Sequence, residues 1–570
     1  MRFGAVLALF RYTWNVLAVS LPLVSLLFLV AALVTTFLRL HYGVDFTDEA
    51  FAVALPYRFV LGDKPFVHDW TVTQSVSLLV YPLVFLFHKA HAGIEGIILF
   101  TRKIYFLFTL TIAVVSFLAL RKYVRWALAL LLSTLFIVFV PYQIPNFTYN
   151  SLGVGLFTVG IFLALLDFPS RWKYLACGLL HGLACIAHPM LFIPSFGYGI
   201  ILVSWVRPRG LIIWYAVGIA LVPLILASLF QHEALAIFHT LSYTVREMQV
   251  TGGYHLTGGL FGVLLQELLY PGWLPLIIVA SFFFLPWVSG RGAPVIALGW
   301  IALVHVVAFT HLPEIVDGLG KYFYLLYLCL IAPFLLFSLY LRRNEKCFLE
   351  AKKLLVLVWL PSFIAGLALS TTSSDGLAKF GVAALPAVIV SCILIGNILS
   401  EVEIAPYFFA ALTFATFLHF QRFPHKNGSI ETLTATVQSG PFKGLATTPI
   451  KEEYLRHLTT DLAAVAKPGS KILFYYQFPA GYLLTNLKPA MPSLWMFCSK
   501  ASWQECISYY EKSRAPGDIV VRIRANLFRN GLEIPYEDSG PIIKPFDSFI
   551  QSSHAKILSS GLYDIYSDSG

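Results

Sequence analysis

The sequence predicts an all-α polytopic membrane protein of about thirteen transmembrane helices. Further helices lie in its outer loops, and a small C-terminal extracytoplasmic α/β domain follows. Three observations lead there. Hydrophobic residues make up 58% of the 570 and charged residues only 12%, against about 25% charged in ordinary globular proteins. The apolar residues fall into runs long enough to cross a bilayer, which needs roughly 20 residues per span. The charges are also crowded: residues 421–570 hold 29 of the chain's 70 charged residues, which marks a boundary near 421. So apolar a chain is not disordered. Its length and seven Cys exclude a small disulfide-stapled scaffold. The net charge of +10 follows from basic cytoplasmic loops and does not call for nucleic acid.

The spans are read near 13–38, 103–120, 126–141, 151–167, 174–188, 190–205, 211–230, 273–288, 293–310, 322–340, 354–370, 382–399 and 404–420. Basic residues orient them: Arg2 and Arg11, then Arg121, Lys122 and Arg125, then Arg171 and Lys173, then Arg207 and Arg209, then Arg291. Arg342, Arg343, Lys346, Lys352 and Lys353 follow. By the positive-inside rule these loops are cytoplasmic. The 400–403 connection, Ser-Glu-Val-Glu, breaks the pattern. The first span has no small-residue cleavage site after it and is read as retained. An odd span count then puts the N-terminus inside and the tail, 421–570, outside.

Two outer loops, 39–102 and 231–272, are longer than a hairpin needs. In the first, Thr47 is placed to cap a helix starting at Asp48, with Phe51, Leu55 and Phe59 on one face, an amphipathic helix for the membrane surface. The stretch 76–90, followed by His88, Lys89 and His91, suggests a second interfacial helix, and 231–248 a third. The tail has strand-like runs at Lys471–Tyr476 and Asp518–Arg524 around a helical stretch, 502–512, which together suggest an α/β fold.

Asp48 and Glu49 stand in the first turn of the loop helix. They suit the positive end of a helix dipole. They also suit general-base chemistry at the lipid–water boundary, where partial burial tunes a carboxylate. Arg58 follows, then Gly62-Asp63-Lys64-Pro65-Phe66, a hydrophobic helix, and Arg102 entering the second span.

This pattern resembles the GT-C superfamily of integral-membrane glycosyltransferases, in particular the protein O-mannosyltransferases and the lipid A aminoarabinose transferase. The resemblance covers most of 10–420. It implies a GT-C-like domain at 1–420 with jaw helices in the outer loops. It also implies transfer of a hexosyl or pentosyl group, with inversion, from a polyprenyl-phosphate donor to a lipid, glycan or protein acceptor at the outer face of a membrane such as the bacterial inner membrane. Asp48 then matches the base or acceptor-orienting aspartate, with Glu49 supporting it. Arg58, Lys64, Arg246, Lys321, Tyr322 and Lys379 become candidates for the carrier phosphate. The chain departs from the family pattern at Asp63-Lys64-Pro65-Phe66 and His68-Asp69.

A divalent metal is the one cofactor left open. His68, Asp69 and His232 are its candidate ligands, although their spacing matches no ligand motif. Asn146-Phe-Thr and Asn427-Gly-Ser are sequons, and Cys498 and Cys506 are permitted a disulfide. No Walker motif, nucleotide-binding glycine loop, Ser-His-Asp pattern or CxxC pair is present. The alternative reading is a transporter or flippase of lipid-linked sugars. It asks for charges in mid-span, and the predicted spans hold almost none.

Overall fold

The computed structural model describes residues 2–71, 73–168, 170–205, 208–250, 274–287, 292–310, 324–341, 345–371, 376–398, 404–475, 477–495, 503–514, 517–524 and 544–568. Arg207, Arg291, Arg342, Arg343, Lys321, Tyr322 and Cys498 lie outside these residues.

Every predicted span falls on helix. The first ten helices are α1 (Arg2–Arg39), α2 (Asp48–Val60), α3 (Gln74–His91), α4 (Ile97–Leu120), α5 (Trp126–Val138), α6 (Tyr149–Ala164), α7 (Arg171–Ala187), α8 (Phe192–Trp205), α9 (Leu211–Leu229) and α10 (Ala234–Val250). The helices that complete the bundle include Tyr324–Leu341, Gly381–Ile398 and Ile404–Gln421. Among the described residues, seven helices are long and apolar enough to cross a membrane, and four shorter apolar helices accompany them. The bundle's outward surface is apolar: Leu27 is 59% exposed, and Ile213 and Leu224 each 64%. Only lipid makes such a surface stable, and the chain is an integral membrane protein. Where helices cross closely, glycine permits it. A Cβ on Gly178 of α7 would lie 2.2 Å from the Tyr215 carbonyl oxygen, and one on Gly218 of α9 2.4 Å from that of Leu175. Small residues let backbones approach in this way where lipid gives no hydrophobic push.

Beyond Gln421 the chain forms a two-stranded ribbon, β1 (Ala435–Thr436) with β2 (Ala446–Thr447). A five-stranded sheet follows, built from β3 (Lys471–Tyr475), β4 (Lys488–Pro489), β5 (Ile519–Ile523), β6 (His554–Ser559) and β7 (Tyr563–Asp568). Its order is β4-β3-β5-β7-β6. The β3–β4 and β3–β5 pairs are parallel, while β7 runs antiparallel to both β5 and β6. Side chains alternate between the sheet faces with period two. Ile472, Phe474, Ile519, Val521 and Ile565 enter one core, and Leu473, Tyr475, Val520 and Tyr566 another.

The first of these cores also contains Phe46, Leu55, Val80 and Val84, so the sheet and the 39–102 loop share one hydrophobic interior. Backbone bonds stitch the same two parts together. Gly43 donates to Ala446 (2.9 Å), Trp70 to Pro492 (2.8 Å) and Ala480 to Phe46 (3.1 Å). This corrects the expectation for α2. Its apolar face is covered by protein, for Leu55 and Phe59 are buried in this shared core. Helix α3 keeps the amphipathic pattern: Val76, Val80, Val84 and Phe87 are inside and Leu86 is 64% exposed.

Candidate functional site

The chain leaves α1 through a tight turn and re-enters helix at Asp48. Gly43 has φ +89°, and a Cβ there would lie 2.5 Å from the Pro424 side chain. Glycine is therefore what lets the turn lie against the segment after the helix Ile404–Gln421. The cap of α2 is Asp45, not Thr47, which makes no side-chain cap bond. The Asp45 carboxylate accepts from the Thr47 backbone N–H (2.9 Å), the Thr47 hydroxyl (2.7 Å) and the Glu49 N–H (2.8 Å).

Adjacent helix residues point about 100° apart at 3.6 residues per turn, and this separates the two candidate carboxylates. Glu49 turns inward and is 1% exposed. Arg102 meets it with two bonds of 2.6 Å, and Asn146 donates to it at 3.2 Å. The remaining Arg102 donors go to the carbonyls of Leu40, Tyr42 and Gly43. This bidentate, fully bonded pair ties α4 to the turn after α1. Glu49 has no oxygen free for a substrate.

Asp48 turns outward, its side chain 40% exposed. Lys426 Nζ lies 2.5 Å from Asp48 Oδ2, and His425 Nε2 lies 3.0 Å from the same oxygen. Burial alone would raise this carboxyl, but the Lys426 charge and the His425 bond overcome it. Asp48 is held well below the usual carboxylate range. Trp495 stands beside the pair, its ring 5.9 Å from Lys426 Nζ and 5.6 Å, edge to face, from the Phe51 ring.

The other sequence candidates divide. Arg58 is 1% exposed and locked between Asp63 (2.6 Å) and Asp69 (3.1 Å). Burial would lower it, yet Asp69 and Asp63 together raise it above the ordinary guanidinium value. It braces the loop from a fully buried position, and only its Nη2 lacks a hydrogen-bond partner. Lys64 is exposed. Arg246, half exposed, pairs with Glu505 of the tail at 3.0 Å, and His239 binds the same carboxylate at 2.8 Å. Lys321 and Tyr322 lie outside the described residues.

Lys379 is 3% exposed, with its Nζ 5.0 Å from the centre of the Tyr149 ring. That ring lies 5.3 Å from the ring of His188, a buried imidazole with neither nitrogen hydrogen-bonded. Tyr149 opens α6, and Lys379 stands two residues before the helix Gly381–Ile398. The same two helices wall a narrow cleft with Ser151, Val154, Val382, Leu385 and Pro386, closed on a third side by Tyr105. A buried cation thus stands before one of the two helices that wall a mostly apolar cleft, and an unsatisfied imidazole lies against the tyrosine that opens the other.

The expected metal ligands do not converge. His68 accepts from the Lys64 N–H (2.8 Å), Asp69 is held by Thr71 and Arg58, and His232 is exposed. Among the described residues a different trio, Asp45, Asp48 and His425, brings ligand-type atoms within 4.8 Å of one another. Its donor set suits a divalent ion, but the Lys426 ammonium already lies 2.5 Å from Asp48 Oδ2. The sequons are closed to glycosylation: Asn146 is 1% exposed, and Asn427 is buried with its amide on the Val44 and His425 carbonyls. Cys506 is disulfide-bonded.

Sequence reading missed His425, Lys426 and Lys451. The first two look like a basic flank after a span. Lys451 is 1% exposed and donates to the carbonyls of Val44 and Lys426 and to Asn427 Oδ1, at 3.0–3.2 Å. Nothing in the spacing announces either role.

No family model matches the chain, and no curated protein matches it by sequence. Solved structures are similar to it. ArnT from Cupriavidus metallidurans bound to undecaprenyl phosphate is 14% identical, with a TM-score of 0.42 over 95% of this chain and 97% of that one. The Archaeoglobus fulgidus oligosaccharyltransferase in the apo form is 12% identical, with a TM-score of 0.44 over 88% of this chain and 69% of that one. The same archaeal enzyme, AglB, in complex with an inhibitory peptide and a dolichol-phosphate is 11% identical, with a TM-score of 0.41 over the same shares.

Proposed function

We propose that the chain is a membrane glycosyltransferase that moves a hexosyl or pentosyl group from a polyprenyl phosphate to an acceptor hydroxyl or amine. In this reading residues 1–420 hold the lipid carrier. Residues 421–570 form an outer α/β domain facing away from the cytoplasm of a bacterial inner membrane. One observation carries the reading: a half-exposed, strongly acidic carboxylate, Asp48, and a buried cationic head group, Lys379 with His188, stand at the same end of the bundle. Loop 139–148 joins them, since Asn146 bonds Glu49 beside Asp48 and Tyr149 lies beneath Lys379. The bundle's apolar outward surface suits a polyprenyl tail. The ammonium and the imidazole suit its phosphate, because charge in a dry site must be paired.

The chemistry follows from the charges. The acceptor oxygen or nitrogen bonds to the anomeric carbon while the bond from that carbon to the phosphate oxygen breaks. The leaving polyprenyl phosphate keeps the electron pair, and Lys379 balances its charge. Attack opposite the leaving group inverts the anomeric centre. A carboxylate held as acidic as Asp48 is a weak base in the ground state. Its first task is to accept the acceptor's hydrogen bond and aim it. The proton reaches Asp48 only as the new bond forms and then passes to solvent, which its exposure allows.

The test is transfer by the purified chain in lipid nanodiscs supplied with polyprenyl-phosphate sugars. Lys379→Met should raise the donor KM about tenfold or more and leave the acceptor KM in place. An unchanged donor KM moves the phosphate away from Lys379, and the absence of transfer from every such donor removes the glycosyltransferase reading.

A further inference from the structure

The segment just past the helix Ile404–Gln421 delivers an ammonium into a cluster that otherwise has the composition of a divalent-ion site. Asp45, Asp48 and His425 present two carboxylates and an imidazole within 4.8 Å, hard and borderline donors of the kind that Mn²⁺ or Zn²⁺ takes. Lys426 Nζ sits 2.5 Å from Asp48 Oδ2 and also donates to the Thr47 hydroxyl at 2.7 Å. It is held from several sides. Lys426 itself has φ +51°, a left-handed conformation uncommon outside glycine. Its carbonyl accepts from the buried Lys451 ammonium (3.0 Å), which also grips Asn427 Oδ1 and the Val44 carbonyl. Asn427 in turn donates to the carbonyls of Val44 and His425. Strain of this sort persists where the surroundings over-determine it. Here the surroundings fix one ammonium on one carboxylate.

We propose that Lys426 is a tethered counter-cation for Asp48 that stands where a divalent ion would otherwise bind, so that the first residues of the tail are a working part of the site and the site takes no metal. As a statement about transfer this rests on the function proposed above; as a statement about the cation it does not. Lys426 is a positioning residue: it fixes the ionised Asp48 carboxylate in one rotamer, with its second oxygen left for the acceptor. A divalent ion beside the ammonium would meet like charge at contact distance, which disfavours its entry.

The experiment uses the full chain in nanodiscs, Mn²⁺ as probe read by electron paramagnetic resonance, and the transfer rate with and without a chelator. The wild type should take up no Mn²⁺ at this cluster and should keep its rate after chelation. Lys426→Met should lose about tenfold or more in rate and gain one Mn²⁺, which the added change Asp48→Asn should remove. Lys426→Arg, which keeps the cation, should retain most of the rate and bind no Mn²⁺. Wild-type Mn²⁺ uptake that Asp48→Asn abolishes would overturn the proposal. So would a folded Lys426→Met protein that works at full rate without metal. If no polyprenyl-phosphate sugar supports transfer, the function proposed above fails, while Mn²⁺ uptake still decides whether Lys426 fills the cation's place.

Discussion

Two acid–base clusters are built on adjacent residues at the start of α2, and they differ in what they leave open. In the Glu49–Arg102 cluster both side chains are about 2% exposed, and every guanidinium donor and both carboxylate oxygens are bonded within the protein. In the Asp48–Lys426 cluster the carboxylate is 40% exposed, and its bonds to Lys426 and His425 gather on Oδ2. A fully bonded buried ion pair is scaffolding, for removing one partner leaves an uncompensated charge in a dry place. A half-open carboxylate with one oxygen to spare is where a substrate can enter. Adjacent residues of one helix turn thus take opposite roles, and accessibility with spare bonding capacity separates them, not charge.

The largest expected effect tests the open cluster. Asp48→Asn keeps the shape and deletes the charge, so transfer should fall by about 10²–10⁴-fold while the melting temperature stays near that of the wild type. Transfer close to the wild-type rate would erase the distinction drawn between the two clusters.

The closed cluster should respond in the opposite manner. Arg102→Met strands the Glu49 carboxylate, a loss of about 3–5 kcal/mol, visible as poor insertion or a lowered melting temperature in detergent. If Arg102→Met folds normally and fails only in transfer, the scaffolding role is wrong. Arg58→Met, which strands Asp63 and Asp69, should behave as Arg102→Met does.

A smaller effect concerns the brace behind Lys426. Burial depresses the Lys451 ammonium from 10.5 to about 8. The unfolded segment therefore binds the proton more tightly than the packed one. The penalty is fully present below about pH 8 and fades as pH rises to 10.5, so the tail should melt higher at pH 9.5 than at pH 7.5, by roughly 1–3 kcal/mol at most. A flat response across that range, with the helix intact, would mean that Lys451 is not buried as an ammonium.

The smallest effect belongs to the exposed bridge from α10 to the tail. Arg246→Ala should cost about 0–1 kcal/mol and leave the donor KM unchanged. A large rise in donor KM would return Arg246 to the phosphate site and weaken the assignment to Lys379.

The bundle was legible because span length and apolar composition are properties of single segments. A 20-residue apolar run has few options besides a spanning helix, and the described part of each expected run lies on helix, seven of these helices being long and apolar enough to span. The strands Lys471–Tyr475 and Ile519–Ile523 were legible for a similar reason, being short runs rich in β-branched and aromatic residues. The surface of α2 was not. Phe51, Leu55 and Phe59 mark an apolar face, but the pattern cannot say whether lipid or protein covers it, and a core shared with residues more than 400 positions away supplied the answer.

The sequence by itself determined that this is a helical membrane protein with a charged tail, that a helix starts at Asp48, and that Asp48 is the residue to test. Hydrophobic periodicity and local capping are written over a few turns of chain, and they need no distant partner. Only the tertiary structure decided which carboxylate faces outward and which candidate cations are already spent on internal ion pairs. It also decided that Lys426, 378 residues from Asp48, holds its oxygen. An ion pair lives or dies by distances of a few ångströms and by the water around it, and neither is a property of residue order.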